Sequence, residues 1–513
     1  MRKLKSKILS AGLASLMLLS SVACNNSGNK DQGNVKQNTD TNSQVKLVYY
    51  LWGGEGVANK DIIKEINTKL KNDLNTELEI RYIDWGDVAT KYPLLFMAGE
   101  KFDLTHASPN AAVSYFTLVA EGALADITDH LDVVPKLKNE IPENVWNSAK
   151  YKDRIYGVPT LYSEFTPTGF VYRKDKQEEY GVGEVKDIKS MEAYMTAAVE
   201  NGDLPIKGTS VDAGDLYKLL VDTTDQWIMA PGIPADSLFL VGESIDNFKN
   251  IIHPAFTDEF LEHAKLMKKW NDLGFWPKDI LSAQIGDKDN FNNGQSVAYL
   301  THMADWTGSY GALQKNLPGV EADFWTFALN NNKILNKAGV ENTTAINAKS
   351  ENIDRSLQVI EKFMTDQSYY NLIQYGIEGR QYEIVDGKIQ NPEGFDAEVD
   401  GGGFSAWALR NDKFNIPYVT EDPRRYELID EWKKIAHQNP YSGFSFDDTA
   451  VSNELSNIQN VNSTLGIQLM FGKADGDVEA AVENYREQLK AAGIERLIEE
   501  LKTQLNDFTP IGK

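Results

Sequence analysis

The chain has 513 residues, 42% of them hydrophobic, enough to build two or three domains with sizeable cores. Asp and Glu number 75 against 52 Lys and Arg, and the formal charge of −23 repels polyphosphate and excludes nucleic acid as the main partner. One cysteine, Cys24, excludes an intramolecular disulfide framework and a Cys-based zinc site, and six scattered histidines show no His-Glu-x-x-His spacing, so neither metal nor cofactor is expected. Against this acidic background the aromatic share of 10%, with 10 Trp, 22 Tyr and 21 Phe, is generous.

The N-terminus has the grammar of an export signal. Arg2, Lys3, Lys5 and Lys7 precede an apolar run from Ile8 to Leu19, which is far short of the ~20 residues a bilayer-spanning helix needs. Ser21-Val22-Ala23-Cys24 follows and resembles the lipobox of bacterial lipoproteins, with Ser21 where a branched apolar residue is usual. That resemblance implies a signal peptide over 1–23, lipidation of Cys24 and a protein held on the outer face of the cytoplasmic membrane. Cleavage removes four positive charges and no acidic ones, taking −23 to −27. Residues 25–44 carry one apolar side chain, Val35, and are expected to form a disordered tether.

Along the body, Val45–Leu51 reads as a strand and Asn59 as the cap of a helix carrying Ile62, Ile63, Ile66 and Leu70 at helical spacing. Leu78–Ile83 is the next strand, Val88–Ala98 a helix stopped by Gly99, Phe102–Ala107 a strand, and Ala111–Ala120 a helix stopped near Gly122. Strands joined by helices pair in parallel, and such sheets bind ligands beyond the strand carboxyl ends. Those ends carry Trp52-Gly53-Gly54-Glu55, Asp84-Trp85-Gly86-Asp87 and Ser108-Pro109-Asn110. From Lys186 to about Trp276 the pattern is mostly helical and suggests a second domain, and Val478–Leu505 is helical with a break at Gly493.

Several segments resemble extracellular solute-binding proteins that feed carbohydrate importers of the ABC class. Ala98-Gly99-Glu100-Lys101-Phe102-Asp103-Leu104, Lys152-Asp153-Arg154-Ile155-Tyr156-Gly157-Val158-Pro159, Gly169-Phe170-Val171-Tyr172-Arg173-Lys174-Asp175 and Phe291-Asn292-Asn293-Gly294-Gln295-Ser296-Val297-Ala298 match four family elements in family order, with Arg173 in place of the usual Asn. Tyr375-Gly376-Ile377-Glu378-Gly379-Arg380-Gln381-Tyr382 and Ala492-Gly493-Ile494 resemble the LipO-like (LplA-like) subgroup with its C-terminal extension, although Arg380 and Gln381 replace Lys and His. The resemblance implies a periplasmic-binding-protein-like α/β fold: two α/β lobes joined by a multi-strand hinge, with a ligand cleft between them. The expected lobes are 45–165 plus 326–370 and 166–325 plus 371–513, with chain crossings near Tyr162–Thr168, Asp323–Phe327 and 365–375. The expected partners are a carbohydrate, the subunits of an ABC permease and the membrane through Cys24, with a monomeric body.

Sugars offer hydroxyls for polar groups and an apolar C–H face for aromatic rings. Candidate ligand residues at loops and crossings are therefore Trp52, Glu55, Asp84, Trp85, Asn110, Tyr162, Glu164, His302, Asp305, Trp306, Trp325, Arg380 and Trp407. Trp306 leads because the family commonly places a sugar-facing aromatic after the Phe-x-x-Gly strand; its alternative role is packing at the base of the next helix. Trp227 and Trp276 read as core with some access to the site, and Trp146, Trp270 and Trp432 as structural. The run Asp287–Gly294 suggests a calcium loop superficially, but Phe291 sits in a ligand slot and no Glu closes it. No Gly-x-Ser-x-Gly elbow, Walker loop or dinucleotide fingerprint is present. The resulting expectation is a lipid-anchored binder of an oligosaccharide, not an enzyme. A secreted glycan-cleaving enzyme and a receptor for another solute such as a peptide are the alternatives.

Overall fold

A computed structural model describes residues 43–510 except 110, 112, 164, 166, 209–212, 225, 231–238, 283–285, 337, 443 and 445. The expected signal peptide, Cys24 and nearly all of the tether lie outside the described residues. No helix among the described residues is long and apolar enough to cross a membrane.

The chain opens with strand β1 (Val45–Trp52), helix α1 (Asn59–Leu74), strand β2 (Thr76–Ile83), helix α2 (Val88–Met97) and strand β3 (Leu104–Ala107). In α1 Ile62, Ile66, Leu70 and Leu74 recur every fourth residue and form one buried stripe. Asn75 ends the helix in the left-handed region at φ 48°, its N–H returning to the carbonyls of Leu70 and Lys71, a conformation asparagine tolerates better than most residues. The expected helical run from Ala111 begins only at Tyr115, where the Ser114 hydroxyl accepts from the Phe116 N–H.

Strand β4 (Gly157–Pro159) ends the first pass through this lobe. The second lobe then supplies β5 (Thr168–Arg173), helix α3 (Ala213–Thr223), β6 (Ala298–His302), helix α4 (Met303–Asn316) and β7 (Ala322–Thr326). The chain returns through β8 (Thr343–Ile346) and helix α5 (Ile353–Thr365). The first-lobe sheet has the order β2-β1-β3-β8-β4. Its β1–β2 and β1–β3 pairs are parallel, whereas β8 runs antiparallel to both β3 and β4. The alternating elements of the N-terminal third thus give the expected parallel strands, and the return pass supplies an antiparallel one.

In the second lobe β5 is the centre of an antiparallel β6-β5-β7 sheet and all six of its residues are buried. Successive side chains point to opposite faces. Phe170 and Tyr172 join the large core with Trp325, Leu300 and Ala298. Val171 faces a smaller cluster that holds Phe291, Tyr299, Trp306 and Trp432. Helix α6 (Arg424–Ile435) covers that second face through Ile429 and Trp432. Helices α7 (Val478–Ala492) and α8 (Ile494–Asp507) close the other core with Leu489, Leu497, Leu501 and Leu505, turning at Gly493 with φ 94°.

The lobe boundaries differ from the expected ones at the third crossing. Ile373, Phe404, Ala406 and Leu409 are buried in the first-lobe core, so the chain stays in that lobe well past residue 370 and enters the second only before α6. The chain also passes between the lobes after β4 and after β7. All three passages are laced together. Thr160 N–H donates to the Gly339 and Asn342 carbonyls, Leu161 N–H to the Arg410 carbonyl at 3.1 Å, and Asp412 N–H back to Leu161 at 3.2 Å. This three-segment seam is the hinge.

Candidate functional site

A cavity of about 740 Å³ lies between the lobes, within the range of about 300–1,000 Å³ for small-molecule sites. The first-lobe wall is built at the strand ends. Trp52 ends β1, Trp85 follows β2, and His106 and Ser108 lie at the end of β3. Trp407, Arg410, Glu341 and Asn342 complete that side.

Four rings form one cluster. The Trp52 indole stacks on the His106 imidazole at 4.3 Å and 22°, and meets Trp85 edge-on at 6.2 Å. Trp85 stacks on Trp407 at 5.2 Å and 21°. Trp52 and His106 are buried, while Trp85 and Trp407 are 51% and 40% exposed. An exposed stacked tryptophan pair on a cavity wall is an apolar platform for a flat ligand face.

Local backbone chemistry holds Trp407 in place. Gly401-Gly402-Gly403 precedes it and runs against the start of α1: a Cβ on Gly401 would lie 2.3 Å from the Ala397 carbonyl oxygen, and one on Gly402 2.6 Å from Ile62 Cδ1, which would have to move aside. Asn59 is not the helix cap expected from the sequence; the cap position is Ala58. The Asn59 amide instead donates to the Gly403 carbonyl at 2.7 Å and to Tyr82 Oη at 2.6 Å, while its oxygen accepts from Gly403 N–H at 2.8 Å.

The second-lobe wall mixes apolar and polar side chains, Ala304, Ala328 and Leu335 among the former. Lys218 and Asp222 come from α3, Trp227, Ile228 and Met229 from the segment after it, His302 from the end of β6, and Lys333 and Asn336 from the return crossing. Lys333 Nζ is buried and donates to the carbonyls of Val221 at 2.8 Å, Thr224 at 2.5 Å and Trp227 at 3.2 Å. A cation thus sits on carbonyls at and beyond the C-terminal end of α3, where the helix dipole favours it. Burial pushes the neighbouring Asp222 carboxyl up to about 6, against the opposing pull of Lys333 and Lys218. Burial also drives the His106 imidazole down to about 4, so it is neutral at physiological pH.

The sequence-predicted residues separate into three groups. Trp52, Trp85, His302 and Trp407 line the cavity. Asn110 and Glu164 lie outside the described residues. The structure places the others off the cavity wall. Trp306 is fully buried beneath β7, stacked on Phe324 at 5.4 Å, with its N–H donating to the Ala322 carbonyl. Trp325 faces the opposite core against Phe327 at 5.2 Å. Arg380 joins Asp61 at 2.6 Å and Asp400 at 2.9 Å, an ion-pair network at the start of α1. Asp305 binds Lys288 and Thr301. Glu55 and Asp84 are exposed in the loops after β1 and β2. Tyr162 belongs to the hinge, where the Arg410 guanidinium lies 4.0 Å from its ring centroid and Arg425 donates to its hydroxyl at 2.5 Å.

The sequence reading missed His106, Asn342, Asp222, Lys333 and Arg410. His106 alone left a signal, as a histidine next to the carboxyl end of the strand Phe102–Ala107. The run 287–294 forms a short helix over Asp287–Asn292, and among the described residues no group of three or more His, Cys, Asp or Glu could hold a metal.

Comparison with known proteins agrees with this architecture. Residues 440–510 match a domain of unknown function. A carbohydrate ABC transporter substrate-binding protein of Streptococcus pneumoniae serotype 4 is 22% identical over 98% of this chain and 96% of its own length. Among solved structures, the N-glycan transport solute-binding protein NgtS of Streptococcus pneumoniae superposes with a TM-score of 0.74 at 19% identity, covering 91% of this chain and 99% of that one. Its complex with Man1GlcNAc gives 0.66 at 18% identity, with 90% and 99% coverage. The family model for bacterial extracellular solute-binding proteins matches residues 61–377, more than half of the chain, and the protein belongs to that family.

Proposed function

We propose that this protein captures a carbohydrate, an oligosaccharide of two or more rings, between its lobes and delivers it to an ABC importer. The observation that carries the reading is the exposed Trp85–Trp407 stack across a cavity of about 740 Å³ from second-lobe polar groups that include Asp222, His302 and Asn336. A pyranose has the same two aspects: a C–H face that stacks on indole and an edge of hydroxyls that pairs with Asn, Asp and Lys. Ligand contacts made by both lobes favour the closed form, so ligand shifts the equilibrium about the hinge. The names of the related substrate-binding proteins support the same ligand class.

The protein acts by binding without turnover. Calorimetry with a panel of neutral manno-, gluco-, galacto- and xylo-oligosaccharides and N-acetylglucosamine-containing glycans, followed by mass analysis of the recovered sugar, tests both points. At least one glycan should bind and be recovered intact. Failure of the whole panel contradicts the carbohydrate reading, and shortened products contradict the binder reading.

The lipobox-like Ser21–Cys24 supports anchoring outside the cytoplasmic membrane through acylated Cys24, with the body working as a monomer. In detergent phase separation of cell extracts the native protein should enter the detergent phase and a Cys24→Ala variant the aqueous one. Equal partitioning of the two would remove the anchor from the account.

A further inference from the structure

Trp52 and His106 form the deepest part of the aromatic wall, and each keeps one polar atom without a protein partner. Trp52 is 6% and His106 1% exposed, yet both line the cavity. Trp52 Nε1 and His106 Nδ1 are fully buried and neither has a hydrogen-bond partner among the described residues. Each such orphan costs about 1–3 kcal/mol, so a pair in contact asks for a cause.

The chemistry of the two atoms is complementary. An indole nitrogen only donates. His106 Nε2 lies 3.1 Å from Asn342 Oδ1, and an amide oxygen only accepts, so Nε2 carries the hydrogen and Nδ1 presents a lone pair. The stack at 4.3 Å thus brings together one donor-bearing and one acceptor-bearing ring. Both rings are fixed from behind: Tyr92 packs edge-on against Trp52 at 5.3 Å, and its hydroxyl donates to the His106 carbonyl at 2.8 Å.

We propose that Trp52 Nε1 and His106 Nδ1 form a hydroxyl-reading subsite behind the Trp85–Trp407 platform, with Asn342 as the positioning residue that sets the His106 tautomer. A hydroxyl both donates and accepts, so one that reaches the two atoms from the cavity satisfies the pair. The subsite rests on the carbohydrate reading and makes it more specific: it rejects a sugar lacking the inserted hydroxyl, because the two orphans then stay unpaired.

The test uses monodeoxy derivatives of the panel's tightest glycan. On the native protein one deoxy position should weaken binding about 10-fold or more, the loss of roughly one well-formed hydrogen bond in a dry site. His106→Phe should weaken the parent glycan to a similar degree and no longer distinguish it from that deoxy derivative. Trp52→Phe, which keeps an aromatic ring and loses the N–H, is the second variant should His106→Phe not fold. Asn342→Asp keeps an acceptor and should retain affinity. Asn342→Leu should lose it, with a change in the His106 ¹⁵N spectrum that reports the released tautomer.

Unchanged discrimination in both ring variants, or no monodeoxy derivative more than about 2-fold weaker on the native protein, overturns the subsite and leaves the carbohydrate reading standing. Failure of every glycan to bind the native protein overturns both.

Discussion

Trp85 and Trp407 stack face to face at 5.2 Å although one follows strand β2 and the other lies beyond the triple-glycine loop. Both rings keep 40% or more of their surface exposed, so the pair adds little to the core and presents its area to the cavity. Trp85→Ala and Trp407→Ala should each weaken glycan binding by roughly 5- to 100-fold, about 1–3 kcal/mol, with ligand-free stability changed by no more than about 1 kcal/mol. Calorimetry and denaturant unfolding measure the two effects. A large stability loss with unchanged affinity would make the pair structural.

The Asn59 amide reaches the same platform from behind by pinning Gly403. Asn59→Ala removes three hydrogen bonds and should cost about 2–3 kcal/mol of stability while weakening glycan binding through a loosened Trp407 loop. A residue acting only as a helix cap would cost about 1 kcal/mol and leave binding alone. The affinity of the variant therefore separates the two roles.

Asp222 sets a pH dependence. Its carboxyl is raised from 3.8 to about 6, so the folded state holds the proton more tightly than the unfolded chain. The stability linked to this group is present below about pH 4, is lost as pH rises towards 6, and stays lost above it. A shift of about two units corresponds to roughly 3 kcal/mol. Asp222→Asn should therefore be more stable than the native protein at pH 7.5, by about 1–3 kcal/mol, with the difference vanishing near pH 4. Urea unfolding at both pH values checks this, and a variant destabilised equally at both would contradict it.

Lys333 holds three backbone carbonyls at and beyond the C-terminal end of α3. Lys333→Met keeps the stem and leaves those carbonyls unpaired, so a loss of about 3–5 kcal/mol is expected. Hydrogen exchange should show the opening concentrated in 217–229. A change below about 1 kcal/mol would mean that water replaces the ammonium freely.

Much of this arrangement was legible in the chain because it is local. The period-four apolar stripe of α1 and the spacing of strands and helices gave the parallel β2-β1-β3 core, and strand carboxyl ends pointed to Trp52 and Trp85. Trp306 misled because its neighbourhood in sequence matches a family position, whereas its side chain turns onto the buried face of β7 against Phe324, a matter of which face of the sheet a helix covers. The third crossing was placed too early because nothing local marks 371–409 as first-lobe; Phe404 and Leu409 declare it only by where they pack. Asp222 and Lys333 escaped notice for the same reason: the fold brings them to one wall from segments far apart in the chain.

The central claim is that a carbohydrate closes the two lobes about the seam formed by 160–163, 339–342 and 410–412. Small-angle X-ray scattering across a titration with the tightest glycan of the panel tests it most directly. The account predicts a fall in the radius of gyration that saturates at the same glycan concentration as calorimetric binding. Saturated binding with an unchanged radius of gyration would contradict it.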